Sequence, residues 1–213
     1  REVMFLCPAD STGLSIKKSW DAMGMRATGT ETLVFDDVFV PASHCVSNTF
    51  RSGLFQNLEW QTLSFASVYL GLARRAYNEA LTILRNKRLG AIAGASDVVL
   101  ADQQVVKLGV GQMRLLIETA ANTIEVAARR LNEGRDVPEE LGARLSQLEI
   151  PKVVATENAI QVVDIAMRLV GGGSYRRGHI LERLCRDARS GPFHPLTTDQ
   201  TLDALGTSAL SAL

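Results

Sequence analysis

Three stretches of this chain repeat apolar residues every three or four positions for about thirty residues each, and no other feature restricts the fold as much. In the first, Leu58, Leu63, Phe65, Ala66, Tyr69, Leu70, Ala73, Ala76, Tyr77, Ala80, Leu81 and Leu84 line one stripe of a helix. A second runs from about Val98 to Leu131 and meets Asn132-Glu133-Gly134, where Gly134 is the expected C-cap. A third runs from about Glu139 to Val170 and stops at Gly171-Gly172-Gly173. Helices this long exceed the usual ~11 to 12 residues. Their stripes are buried most simply against one another, in a bundle. Shorter helices are expected from about His179 to Asp187 and from about Thr198 to Ala212. Pro151 lies inside the third stretch and is expected to kink it or to mark its true start, the kink being favoured, because proline removes one backbone donor.

The front of the chain has another period. Val3 to Cys7 reads as a strand stopped by the turn cluster Pro8 to Gly13. Thr32-Leu33-Val34-Phe35 and Val38-Phe39-Val40 flank Asp36-Asp37 and end at Pro41, as strand and turn chemistry predicts. Residues 1 to about 45 therefore read as part of a sheet whose other strands are missing or lie in another segment.

The chain has 213 residues, 46% of them hydrophobic, with 23 Lys plus Arg against 23 Asp plus Glu. That balance removes a bulk electrostatic case for nucleic acid or an anionic membrane. No apolar run approaches the ~20 residues needed to span a bilayer. Cys7, Cys45 and Cys185 have neither disulfide nor zinc spacing, which points to free thiols in a reducing cytoplasm. His44, His179 and His194 share no metal spacing, so no metal is expected. No G-x-S-x-G elbow supports nucleophilic hydrolysis. Taken alone, the glycine triplet is a helix terminator or a place where backbone amides approach a phosphate. Glu59 is an acid complementing a helix dipole, and Arg74, Arg75 and Arg88 are solvated charges.

Larger patterns go further. The run SWDAMGMRATGTETLVFDDVFVP, from Ser19 to Pro41, resembles the middle-domain signature of the acyl-CoA dehydrogenase family. Lys152 to Ala159, Ala166 to Tyr175 and Leu184 to Arg189 resemble, in order and spacing, that family's C-terminal helix pair, its Gly-Gly flavin loop and its Arg-Asp-Ala segment. The resemblance implies a mainly α chain: the C-terminal part of a middle β-domain over residues 1–50, a partial β-barrel, followed by a C-terminal four-helix bundle over 51–213. It also implies FAD between barrel and bundle, and assembly as a homodimer or homotetramer. Arg88 matches an arginine on FAD phosphate, Gln104 a glutamine on the ADP half, and Gly171 and Gly172 the glycines over which a neighbouring subunit's flavin runs. Arg168 stands where the family usually has glutamine.

The departures concern the chemistry. α,β-Desaturation of an acyl-CoA thioester needs a carboxylate for the α-proton while flavin takes the β-hydride. The family's usual catalytic glutamate falls at Pro195, the alternative position on the first bundle helix is Gln61, and Thr62 replaces a common arginine. Glu59 and His194 remain as candidate bases, the imidazole because its ordinary pKa of about 6.5 suits proton transfer near neutrality. The reading placed first is an FAD-dependent acyl-CoA dehydrogenase-like oxidoreductase passing electrons to an acceptor protein. Second is a flavin-dependent monooxygenase fed by a flavin reductase. Third is a subunit without a base, kept for assembly.

Overall fold

The computed structural model describes residues 3–47, 50–88, 98–133 and 141–211, with the side chains of 47, 50–59 and 141–147 outside the description. Gly134, the expected cap, lies outside the described residues. The chain divides into two compact units, Arg1–Gln61 and Thr62–Leu213.

In the first unit, β2 (Leu14–Lys17) pairs antiparallel with β3 (Thr32–Phe35), and β1 (Met4–Phe5) pairs antiparallel with β4 (Cys45–Ser47). Gly13 is required at the mouth of the first ribbon. Its φ is +86°, and a Cβ there would lie 2.0 Å from the Asp36 carbonyl oxygen. Between β2 and β3 the Glu31 carboxylate accepts from the Trp20 amide at 2.9 Å, and Trp20 Nε1 donates to the Met25 carbonyl at 3.1 Å. Ile16, Leu33, Phe35 and Phe39 remain exposed, the open apolar surface of short ribbons. Val38 to Val40 is not a strand, contrary to expectation. Asp37 adopts a left-handed φ of 48°, which turns the chain out of line with β3, and pairing resumes only at β4.

The second unit carries most of the helical core. Helix α1 (Phe50–Asn86) begins in the first unit and continues through the second; α2 (Gln104–Glu133) and α3 (Leu141–Val170) follow, then α4 (Ile180–Ala188) and α5 (Thr198–Ser211). Contacts fix the directions. Gly109 of α2 sits against Leu169 of α3, where an added Cβ would be 2.9 Å from Leu169 Cδ1, and Asn158 Nδ2 donates to the Leu116 carbonyl at 2.9 Å. These pairs make α2 and α3 antiparallel. Thr62 meets Glu149 and Lys87 meets the Val170 carbonyl, so α1 and α3 run parallel. Ala66, Tyr69, Ala73, Ala76 and Ala80 of α1, Met113 and Ile117 of α2, and Ala159, Val162, Val163 and Ala166 of α3 fill the core. Pro151 lies within α3, so the helix neither starts nor stops there. Among the described residues, no helix is long and apolar enough to cross a membrane.

Candidate functional site

Polar residues recur on the inward faces of two core helices. Thr62, Phe65 and Tyr69 on α1, and Glu149, Lys152 and Thr156 on α3, are spaced three and four apart and therefore share a face on each helix. Both faces meet the segment Ser190–Leu196 between α4 and α5. The Lys152 and Glu149 side chains form an ion pair, only 2% and 5% exposed. Glu149 Oε1 accepts from Thr62 Oγ1 at 3.2 Å. The Lys152 ammonium also donates to the Leu196 carbonyl and, at 3.4 Å, to the His194 carbonyl. A buried ammonium thus anchors the backbone on which His194 rides.

The imidazole is held from two further sides. Tyr69 Oη lies 2.9 Å from His194 Nε2 and 2.7 Å from Ser190 Oγ, and Ser190 Oγ donates to the Asp187 carbonyl at 2.7 Å. The Phe65 ring stacks on His194 with centroids 4.3 Å apart and planes 18° apart. Gly191 permits the approach. A Cβ there would sit 2.6 Å from Thr156 Cβ and 3.1 Å from Tyr69 Cε1. Burial, and then the Lys152 charge, lower the His194 pKa, so the ring is neutral at pH 7. Burial raises the Tyr69 pKa, and the Asp187 charge adds to it against the Ser190 hydrogen bond; the phenol stays protonated. Pro195 follows, exposed. The cluster's own carboxylate, Glu149, is engaged by Lys152 and Thr62. Gln61 is exposed on α1. Glu59 also lies on α1, with its side chain outside the described residues.

The other predicted residues gather at the far end of the second unit. Lys87, directly after the end of α1, eighteen residues beyond Tyr69 and hence about 27 Å along the axis, donates from Nζ to the Val170 carbonyl at 2.7 Å. Its own carbonyl accepts from the Leu100 amide at 2.8 Å, and Arg88 bridges Val99. These contacts bring the end of α1, the start of α2 with Gln104, and the end of α3 with Arg168 to one place. Gly171 takes φ +87° and ψ −173° after α3, and Ser174 Oγ, buried beneath the turn, donates to the Gly171 carbonyl at 2.8 Å. Gly172 and Gly173 are exposed, and an added Cβ at either would meet nothing within 4 Å. Packing among the described residues therefore does not require glycine at these two positions. A bare backbone turn beside the exposed cations Arg88, Arg168, Arg176 and Arg177 is suited to phosphate groups. The residues present fit the nucleotide half of a flavin. The sequence-predicted site thus separates into two places: Arg88, Gln104, Arg168, Gly171 and Gly172 at one end, and His194 some five helical turns away.

A bundle of long helices with a half-buried histidine cluster and a bare glycine turn describes the domain, and comparisons with known proteins place it. The family model described as acyl-CoA dehydrogenase, C-terminal domain, matches residues 63–199, and the chain belongs to that family. It is 32% identical to the amino sugar nitrososynthase DnmZ of Streptomyces peucetius, over 93% of this chain and 48% of that protein. It is 27% identical to HsaA of Rhodococcus jostii, the oxygenase subunit of a flavin-dependent monooxygenase, over 90% of this chain and 53% of that protein. Its fold matches butyryl-CoA dehydrogenase from Megasphaera elsdenii with a TM-score of 0.82 and 24% identity, over 98% of this chain and 51% of that one. The chain spans about half the length of the relatives it matches.

Tyr69, Ser190, Glu149 and Lys152 were not singled out as site residues from sequence. Tyr69 reads as one more apolar position in a helical stripe. The signal that could have found Glu149 and Lys152 is their pairing, two charges at helical spacing on the face of α3 that also carries Thr156, Ala159 and Val163.

Proposed function

We propose that the protein containing this chain is a flavin-dependent oxidoreductase that holds FAD, and that it works as an oxygen-using monooxygenase. The observation that carries this reading is the surroundings of His194. By the family resemblance Pro195 and Gln61 stand where a carboxylate would take an α-proton, and the carboxylate inside the cluster, Glu149, is locked in a buried ion pair. Oxygen insertion needs no such carboxylate. Reduced flavin supplies the electrons, one oxygen atom entering the substrate and the other leaving as water. A neutral, oriented His194 can accept a proton from an amine or hydroxyl of the substrate. The similarity to a nitrososynthase and to a monooxygenase oxygenase subunit supports this order of readings.

Arg88, Gln104, Arg168, Gly171 and Gly172 are proposed to receive the nucleotide half of the flavin. Because they lie about 27 Å along α1 from the His194 cluster, a flavin with its ring at one copy's His194 would be completed by the glycine turn of another, in a homodimer or homotetramer. Three cysteines without disulfide spacing, Cys7, Cys45 and Cys185, support a cytoplasmic location.

The second reading, acyl-CoA desaturation with Glu59 or His194 as base, is favoured by the same cofactor end, which suits tightly held FAD. One experiment separates the two. The full-length protein is purified, its flavin measured, and reduction followed anaerobically with acyl-CoA thioesters. The expected result is no bleaching by acyl-CoA, with oxygen consumption only when a flavin reductase and an amine- or hydroxyl-bearing substrate are supplied. Bleaching by an acyl-CoA without reductase refutes the monooxygenase reading. Failure to bind flavin under both conditions refutes both and leaves the assembly subunit.

A further inference from the structure

The hydrogen bonds around His194 run in one direction, and this follows from counting protons. Ser190 Oγ lies 2.7 Å from the Asp187 carbonyl oxygen, and a carbonyl can only accept, so the single Ser190 hydroxyl proton is committed there. Ser190 Oγ also lies 2.7 Å from Tyr69 Oη. With its proton engaged, Ser190 must accept, and the Tyr69 proton points to it. Tyr69 Oη lies 2.9 Å from His194 Nε2. With the phenol proton engaged in turn, Tyr69 must accept, so the proton on that edge of the imidazole sits on Nε2. Reversing any link places two oxygens 2.7 Å apart with no proton between them. The neutral ring has one proton, which leaves Nδ1 as a lone pair. Among the described residues no hydrogen bond to Nδ1 occurs, while the Phe65 stack fixes the ring plane and Lys152 anchors the backbone beneath it.

We propose that Tyr69 and Ser190 are positioning residues that lock His194 in its Nε2–H tautomer, so that Nδ1 is the ring atom presented to a substrate proton. This rests on the reading above only in the last step, the use of Nδ1. The chain runs from His194 through Tyr69 and Ser190 to the end of α4, so the tautomer is set by the carbonyl of Asp187. The specificity consequence is that the site takes protons from donors approaching the Nδ1 edge and turns away acceptors such as a carbonyl oxygen.

The test is nitrogen NMR on the full-length protein labelled with 15N-histidine at pH 8, with the His194 signals assigned by their loss in His194→Gln. The expected wild-type pattern is a protonated Nε2 and an unprotonated Nδ1. In Ser190→Ala the phenol proton is released to Nε2, and the expected pattern reverses to Nδ1–H. Ser190→Thr, which keeps the hydroxyl, should restore the wild-type pattern and the turnover lost in Ser190→Ala. That loss should be about tenfold or more in kcat with KM little changed, the size of a general-base contribution removed in part. A wild-type Nδ1–H pattern, or a tautomer that Ser190→Ala leaves unaltered, overturns the proposal whatever the activity. If the tautomer behaves as stated but His194→Gln turns over at the wild-type rate, the proton-accepting role of Nδ1 is overturned and the proposed chemistry at this residue with it.

Discussion

Replacing Lys152 with methionine should be the most damaging single change in the second unit. The Lys152 side chain is 2% exposed, and its ammonium has Glu149, the Leu196 carbonyl and the His194 carbonyl around it. Methionine fills a similar volume, so the loss is electrostatic: Glu149, 4% exposed, would keep one hydrogen bond, from Thr62 at 3.2 Å, and no counter-charge. Breaking a buried pair by removing one partner costs about 3–5 kcal/mol. For a domain of this size each kcal/mol moves Tm by roughly 2–4 °C, so Lys152→Met should melt about 6–20 °C lower than wild type. The double variant Lys152→Met, Glu149→Leu removes both charges and should recover most of that loss, since apolar replacement of a whole buried pair is commonly neutral or stabilising by about 1–4 kcal/mol. Turnover should not recover with it, because the backbone under His194 has lost its anchor. Calorimetry of the full-length protein with a steady-state assay checks both halves. A single variant melting within about 3 °C of wild type, or a double variant melting as low as the single, would refute the account of this pair.

Gly172→Ala should leave Tm unchanged within the ±0.5 kcal/mol typical of open surface sites, because its Cβ meets nothing among the described residues. It should weaken flavin binding severalfold in a titration of the full-length protein; unchanged affinity would remove the glycine turn from the cofactor site. Gly191→Ala should destabilise by about 1–3 kcal/mol through overpacking, since its Cβ would fall 2.6 Å from Thr156 Cβ, and a wild-type melting temperature would contradict that packing. The His194 pKa is lowered on folding, so below the ordinary histidine value of about 6.5 the unfolded chain binds the proton first and stability falls as pH drops. Thermal melts from pH 7.5 to 5.5 should show a smaller decline for His194→Gln than for wild type, and equal slopes would argue against a neutral ring held by this packing. Glu59→Gln should leave monooxygenase turnover unaltered, while a large loss would return Glu59 to the role of base in the dehydrogenase reading.

The helices were legible because a buried stripe must repeat at the period of the helix carrying it, and α1, α2 and α3 do so for most of their length. What the pattern missed lies where local turn chemistry decides. Val38, Phe39 and Val40 have strand-forming side chains, but pairing depends on a partner and on the direction in which Asp37 releases the chain, neither of which is written in the three residues themselves. Conversely, Leu14–Lys17 forms a strand because Gly13 lets it fold back beside β3.

The site was legible in proportion to how far each residue acts through its own backbone. Gly171 and Gly172 are read from sequence because a bare turn is a property of the glycines. His194 is read only as a titratable group beside Pro195. Its tautomer and basicity depend on Tyr69 and Ser190, which lie 125 and 4 positions away along the chain, and on a lysine one helix over. The three helices bring those residues together, and only then does the order of protons from His194 to the Asp187 carbonyl determine which nitrogen can act. A histidine at this position with phenylalanine at 69 would keep the sequence motif and the ring's burial, and would lose the one contact that distinguishes its two edges.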